Sequence, residues 1–362
     1  MIRLLALALS VAALLPGTAF AQSLEEMAGQ MIVVGFAGDS LKDKSVQAVR
    51  DEIASGTIGG VMYLKANVKS LAAVEAMNKA FLAAAPGLPP FVALDQEGGI
   101  VERLTRDVGF AEVPNARTVA AQDTPVQAGQ IYARMAASLA ELGFTVNFGP
   151  VVDLDVNPDN PIIGKYGRSY GRSADVVADY AARFVAAHRQ AGVLTALKHF
   201  PGHGSSTTDS HEGFVDISKT WTEAELAPYR RLVAEKLVDM VMVGHLYHEA
   251  HGGGAAELPA SLSSGWIEDV LRKQIGFDGV VISDDLEMGA IRKRFTLEQT
   301  VVRAVRAGEN VLLFSNTAAY DPSLGEKIRA ILVKEAKADP AFRALVEDSY
   351  KRIVALKKGI GR

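Results

Sequence analysis

The most reactive part of the sequence is a stretch rich in histidine. Six of the seven histidines, His199, His203, His211, His245, His248 and His251, fall between positions 199 and 251. Within it, Thr208-Asp209-Ser210-His211 places a carboxylate and an imidazole two residues apart. In an extended segment such residues project to the same side. Asp209 can then accept a hydrogen bond from one ring nitrogen of His211, which fixes the tautomer and favours the protonated ring. A histidine so held can give a proton to a leaving group and take one back from water. The same triplet fits an Asx-type turn beside a surface histidine, and spacing leaves both readings open. Ser283-Asp284-Asp285 is the other reactive group. Adjacent carboxylates suit a nucleophile, a metal-ligand pair or a helix cap. Only one of the two can face a given side of a strand.

Histidine clustering also raises a metal site. No H-E-x-x-H occurs, and His199 and His203 straddle Pro201-Gly202, so their spacing is not that of a helix face. A zinc hydrolase is therefore the weaker reading. His188 stands apart on a helical stretch and is expected at the surface.

Eight short apolar runs must position these groups: 31–35, 59–64, 90–94, 145–148, 194–197, 240–243, 279–282 and 310–314. They are continuous rather than alternating, as expected of parallel strands covered on both faces. Helical patterns intervene, most clearly at 124–143, 173–192, 222–236, 263–276 and 296–308, with a final helix at about 340–358. Ser173, Thr222 and Ser263 are candidate N-caps, and Gly143, Gly192, Gly276 and Gly308 candidate left-handed stops. Eight strand–helix units predict an α/β fold, a single-domain (β/α)8 TIM barrel. The doubly wound alternative lacks its G-x-G-x-x-G after the first strand, and no Walker A motif is present.

The third to eighth strands run into polar residues: Asp95-Gln96-Glu97, Asp153 and Asp155, Lys198-His199, His245 and His248, Asp284-Asp285, and Ser315-Asn316. A barrel gathers these ends on one face. Burying so many ionisable groups without purpose is costly, so a functional rim is expected there. Gly202 and Gly204 predict a mobile loop before Asp209, suited to a lid.

Composition narrows the function. With 49% hydrophobic residues and 22% charged, the 362-residue chain is neither disordered nor collagen-like. The absence of cysteine removes disulfides, thiolate zinc sites, iron–sulfur clusters, a thiol nucleophile and a lipidated cysteine. A formal charge of −4 without a basic run is unsuited to nucleic acid. Residues 1–21 read as a secretory signal peptide. Arg3 is followed by an apolar run to Leu15, a Pro16-Gly17 break and an Ala19-Phe20-Ala21 cleavage site. The run is shorter than the ~20 residues of a spanning helix. An exported protein, periplasmic or secreted, is expected, with residues 22–362 as its catalytic domain and no stable membrane insertion after cleavage.

Several of these segments together resemble glycoside hydrolase family 3, in its single-domain β-N-acetylhexosaminidase branch. They are Asp95-Gln96-Glu97-Gly98-Gly99, the stretch from Asn157-Pro158 to Gly164, Lys198 to Gly204, Asp209-Ser210-His211, and Gly276-Phe277-Asp278-Gly279 leading to Ser283-Asp284-Asp285-Leu286. The resemblance implies a (β/α)8 barrel and a retaining mechanism without metal or cofactor. It implies Asp284 as nucleophile, His211 as general acid/base and Asp209 as its partner. It further implies sugar binding by Asp95, Arg103, Arg168, Lys198 and His199. Family β-glucosidases often take their acid from a second domain; here His211 on a barrel loop fills that place. The pocket arginine is displaced by two residues from the usual spacing after Ile163-Gly164, which makes Lys165 a competitor of Arg168.

The implied substrate is a carbohydrate with a terminal non-reducing β-linked N-acetylglucosamine, such as a murein or chitin fragment. The competing activities are a β-glucosidase-like hydrolase and a phosphorylase in the same fold. A competitor of another class is a non-catalytic sugar-binding protein.

Overall fold

The computed structural model describes residues 22–360, so the leader expected at 1–21 lies outside the described residues. Eight strands form in the expected places. They are β1 (Ile32–Gly35), β2 (Gly60–Tyr63), β3 (Phe91–Leu94), β4 (Val146–Asn147), β5 (Leu194–Phe200), β6 (Met240–Val243), β7 (Val280–Ser283) and β8 (Leu312–Phe314). Successive strands from β1 to β7 pair in parallel. β8 pairs with β1, Ile32 facing Leu312, and a bridge between Ile282 and Val311 ties β7 to β8. The sheet is therefore a nearly closed (β/α)8-type barrel. Every strand residue is buried, which explains why the runs are apolar throughout rather than alternating.

β5 runs to Phe200, further than its apolar residues indicate. The Lys198 amide donates to the Pro150 carbonyl and the Val152 amide to the Lys198 carbonyl. Backbone pairing thus carries the strand through two polar residues and turns Lys198 and His199 into barrel residues.

Helices Pro125–Glu141, Ala174–Gln190, Ala227–Ala234, Gly265–Gln274, Leu297–Ala307 and Pro340–Lys357 coincide with the expected helical stretches. Residues Glu223–Leu226 wind as a 3-10 turn, and Gly265–Gln274 is π-helical. Thr124 and Thr296 form capping boxes with Gln127 and Gln299. The caps expected of Ser173, Thr222 and Ser263 do not form. The first two hydroxyls make no cap bond, and Ser263 donates to the His251 carbonyl instead. One element had no clear sequence signal: Val215–Asp216 pairs with Leu246–Tyr247, clasping the segment after β5 to that after β6. No helix among the described residues is long and apolar enough to cross a membrane.

Candidate active site

A cavity of about 340 Å³ opens at the C-terminal ends of the strands, on a floor of Met62, Phe148, Met242 and Leu313. Seven of the eight candidate residues line it: Asp95, Arg103, Arg168, Lys198, His199, His211 and Asp284. The eighth, Asp209, stands behind His211.

The charged side of the cavity is a chain of ion pairs. Asp95 follows β3 and accepts from Arg103 Nη2 and from Lys198 Nζ, both at 2.7 Å. Glu97 lies two residues on. Its Oε1 takes Lys198 Nζ at 2.7 Å and Arg168 Nη2 at 2.8 Å, and its Oε2 takes Arg168 Nε at 2.9 Å. Burial would raise both carboxyls, but the surrounding cations outweigh it. Lys198 and Arg103 hold Asp95 well below the usual range, and Arg168 and Lys198 hold Glu97 at about 2. Two carboxylates thus fix three cations, each with donors to spare for a polar ligand. Glu97 is absent from the candidate set, although its spacing from Asp95 was available as a signal.

Arg168 is 8% exposed, whereas Lys165 is exposed and sits over its neighbour's ring, Tyr166. The structure therefore selects Arg168 as the pocket cation. Asn160 makes the choice: its Oδ1 accepts the amides of Ile162, Ile163 and Gly164, while its Nδ2 donates to carbonyls of His203, Gly204 and Ser206. This clamp fastens the Arg168 loop to the segment after β5.

His199 donates from Nδ1 to Asp153 Oδ2 at 2.7 Å, leaving Nε2 beside Arg168 Nη2 at 3.4 Å. Asp153 Oδ1 accepts the amides of His199 and His203. Asp153 is thus the hidden orienting group for His199, a role that its place after the fourth strand did not reveal.

His188 corrects the surface expectation. It is fully buried; Nδ1 donates to the Phe184 carbonyl at 2.8 Å and Nε2 accepts from Asn147 Nδ2 at 3.0 Å. Burial lowers its pKa to about 4, so the ring is neutral. Asn147 in turn pairs with both main-chain groups of Gln96. The Gln96 side chain bonds the Arg103 amide and both main-chain groups of Leu104, which sets the loop bearing Arg103. The helix carrying His188 therefore presents its inner face to β4.

The glycines before Asp209 also behave differently from expectation. Residues 200–206 are all buried. A Cβ on Gly202 would meet Glu225 at 2.5 Å, and one on Gly204 would collide with the Leu154 carbonyl. These glycines permit close packing rather than motion. The exposed part of the loop begins at Thr207.

There, Asp209 Oδ1 accepts from His211 Nδ1 at 2.7 Å and from the His211 amide at 2.9 Å. Burial raises the Asp209 carboxyl, but the His211 amide and ring lower it further, so it is ionised. The His211 side chain is 61% exposed. The loop docks on the segment after β7, where the Gly289 amide donates to the His211 carbonyl.

Asp284 ends β7. Its amide donates to the Val243 carbonyl, and its Oδ1 accepts the Asp285 amide at 2.8 Å. Burial raises the Asp284 carboxyl, yet His199, His245, His211 and that amide bring it below the ordinary value. The neighbouring Asp285 is raised by burial; its Oδ1 accepts the amides of Glu287 and Ser315. Of the two adjacent carboxyls, Asp284 is thus the more readily ionised, and Asp285 ties strand ends together. Among the described residues, no group of three metal-ligating side chains is arranged around an ion-sized space.

The model of the glycosyl hydrolase family 3 N terminal domain matches residues 23–356. The chain belongs to glycoside hydrolase family 3. It is a hydrolase of glycosidic bonds. Beta-hexosaminidase LpqI of Mycobacterium tuberculosis is 38% identical over 267 residues, 72% of this chain and 67% of the relative. Beta-hexosaminidase A of Pseudoalteromonas piscicida is 32% identical over 324 residues; the match spans 83% of this chain but 53% of that protein. The crystal structure of a β-N-acetylhexosaminidase from Beutenbergia cavernae superposes with a TM-score of 0.81 at 30% identity, covering 93% of this chain and 99% of the other.

Proposed function

We propose that this family 3 hydrolase is a retaining β-N-acetylhexosaminidase that removes terminal non-reducing β-linked N-acetylglucosamine. The observation that carries the mechanism is the pairing of an ionised Asp284 with an Asp209-oriented His211 at one cavity. The names of the similar proteins support the sugar.

Asp284 attacks the anomeric carbon. The bond from that carbon to the aglycone oxygen breaks, and His211 delivers its Nε2 proton to the departing oxygen. Asp209 holds Nδ1, which fixes the ring and keeps Nε2 aimed at the cavity. In the second step His211 takes a proton from water. The resulting hydroxide attacks the anomeric carbon, and the carboxylate of Asp284 leaves. Asp95, Arg103, Arg168, Lys198 and His199 hold the sugar hydroxyls. Each of the three cations is paired with Asp95 or Glu97 within the protein, which suits a neutral sugar. The chemistry requires no metal or organic cofactor. The leader motif at 1–21 supports export, with residues 22–362 as the catalytic domain acting on murein or chitin fragments.

The test is a panel of aryl β-glycosides, N-acetylglucosaminide against glucoside and xyloside, with and without inorganic phosphate. The expected result is preference for the N-acetylglucosaminide, release of free sugar with retained configuration, and no sugar 1-phosphate. Preference for the glucoside, inverted product or sugar 1-phosphate would overturn the reading.

A further inference from the structure

His245 follows β6 and is 1% exposed. Both its ring nitrogens are engaged. Nδ1 lies 2.7 Å from Ser261 Oγ, and Nε2 lies 2.8 Å from the Asp285 carbonyl oxygen. A carbonyl can only accept, so Nε2 carries a hydrogen. Burial holds the ring below its ordinary pKa, so it is neutral and Nδ1 presents a lone pair to the Ser261 hydroxyl. Ser261 is itself anchored, its amide donating to the Gly244 carbonyl at the end of β6. The Asp285 carbonyl therefore sets the tautomer, and a serine tethered to the same strand holds the other ring nitrogen.

The residue held by His245 is the one that touches Asp284. The Asp285 amide donates to Asp284 Oδ1 at 2.8 Å, while the Asp285 side chain takes the Glu287 and Ser315 amides. Asp285 is thus gripped at its carbonyl from β6 and at its carboxylate from β8. Its amide direction follows from these two grips. Asp284 Oδ2 takes no hydrogen bond among the described residues, so a fixed Oδ1 aims the other oxygen.

We propose that His245 is a positioning residue for Asp284: it holds the Asp285 main chain so that the amide fixes Oδ1 and presents Oδ2 to the anomeric carbon. The inference rests on the reading of Asp284 as the nucleophile. A misplacement of about 1 Å at such an atom costs about a hundredfold in rate, whereas a purely structural histidine would alter stability alone.

His245→Gln and His245→Asn separate the two roles. Glutamine carries its amide to the Nε2 position and can donate to the Asp285 carbonyl; asparagine stops at the Nδ1 position and reaches only Ser261. With an aryl N-acetylglucosaminide, His245→Asn should lower kcat about a hundredfold while KM stays within about threefold. The rate of covalent labelling of Asp284 by a 5-fluoro glycosyl fluoride should fall in parallel. His245→Gln should recover at least about tenfold of both. Equal loss in the two variants, or kcat within about threefold of wild type in His245→Asn, overturns the inference.

Ser261→Ala serves where His245→Asn does not fold. Without the serine hydroxyl the ring loses its second anchor and can swing from the Asp285 carbonyl, so kcat should fall with KM retained, and unchanged kcat counts against the proposal. Peptide mapping of the labelled wild type keeps the two levels apart. A label on a residue other than Asp284 refutes the nucleophile reading and this inference together. A label on Asp284 formed at the wild-type rate in His245→Asn refutes this inference alone.

Discussion

Glu97 offers the sharpest test of how the cavity is held together. Glu97→Gln keeps the shape of the side chain and removes its charge. Three charge-assisted contacts, two from Arg168 and one from Lys198, then face a neutral amide in a site where the carboxylate is 8% exposed. The folded pKa of about 2 against an ordinary value of 4.5 corresponds to about 3 kcal/mol at pH 7. Removing one partner of a buried charge pair costs about 3–5 kcal/mol in general, which agrees.

At an unfolding entropy of about 2.1 cal/mol/K per residue, a barrel of this length loses about 1.4 °C of Tm per kcal/mol, so Tm should drop by about 4–7 °C. The sign with pH follows from the depressed carboxyl. Its contribution is complete above 4.5 and lost as pH falls through about 2. The difference between wild type and variant should therefore shrink to about 1 kcal/mol at pH 3. Urea unfolding at pH 7 and pH 3 measures both. Inhibition by free N-acetylglucosamine should weaken about tenfold or more, because Arg168 and Lys198 lose their common anchor. A variant as stable as wild type at pH 7, or a deficit independent of pH, would refute the reasoning.

Other outcomes follow from the same geometry. His211→Ala should slow aryl glycosides with poor leaving groups by about 100-fold or more and activated ones far less, read from the dependence of kcat/KM on leaving-group pKa; a uniform loss contradicts the acid role. Asp209→Ala should impair both chemical steps without raising KM, and pre-steady-state bursts distinguish them. Gly204→Ala should cost at least about 1–3 kcal/mol, since its Cβ meets the immovable Leu154 carbonyl, and circular dichroism melts report it.

Glu309 gives a prediction of opposite pH sign. It is fully buried, and neither carboxylate oxygen has a partner among the described residues. Burial, reinforced by Asp284 against the pull of Arg272, holds its carboxyl well above the usual range. Such a group contributes stability below its unfolded value of 4.5 that is lost as pH rises through the folded value. Glu309→Gln should then raise Tm at pH 8 and leave it nearly unchanged at pH 4. No gain at pH 8 contradicts the burial argument.

The strands were legible because residues buried on both faces must be apolar, and that requirement is written into consecutive positions. The polar residues closing those runs were legible for the same reason, since their cost inside a sheet marks them as exceptions. His188 was misread because a single histidine in a helical pattern carries no record of which face meets β4. Gly202 and Gly204 were misread because loop glycines answer either to motion or to contact, and only the neighbours Glu225 and Leu154 decide which. Arg168 was the sequence choice with Lys165 as its competitor; the Asn160 clamp separates them.

The sequence by itself determined a strand–helix barrel, with a ring of ionisable residues at the strand ends and a carboxylate beside a histidine two positions away. These are local properties, set by periodicity and by neighbours along the chain. Only the tertiary structure decided which of these groups meet. Glu97 and Arg168 are 71 residues apart, and Asp95 and Lys198 are 103 apart. Asp153 reaches His199 across 46, and His245 reaches Asp285 across 40. Barrel closure brings such distant strand ends onto one face, and charges with no partner along the chain find one there because burial leaves them no solvent to turn to.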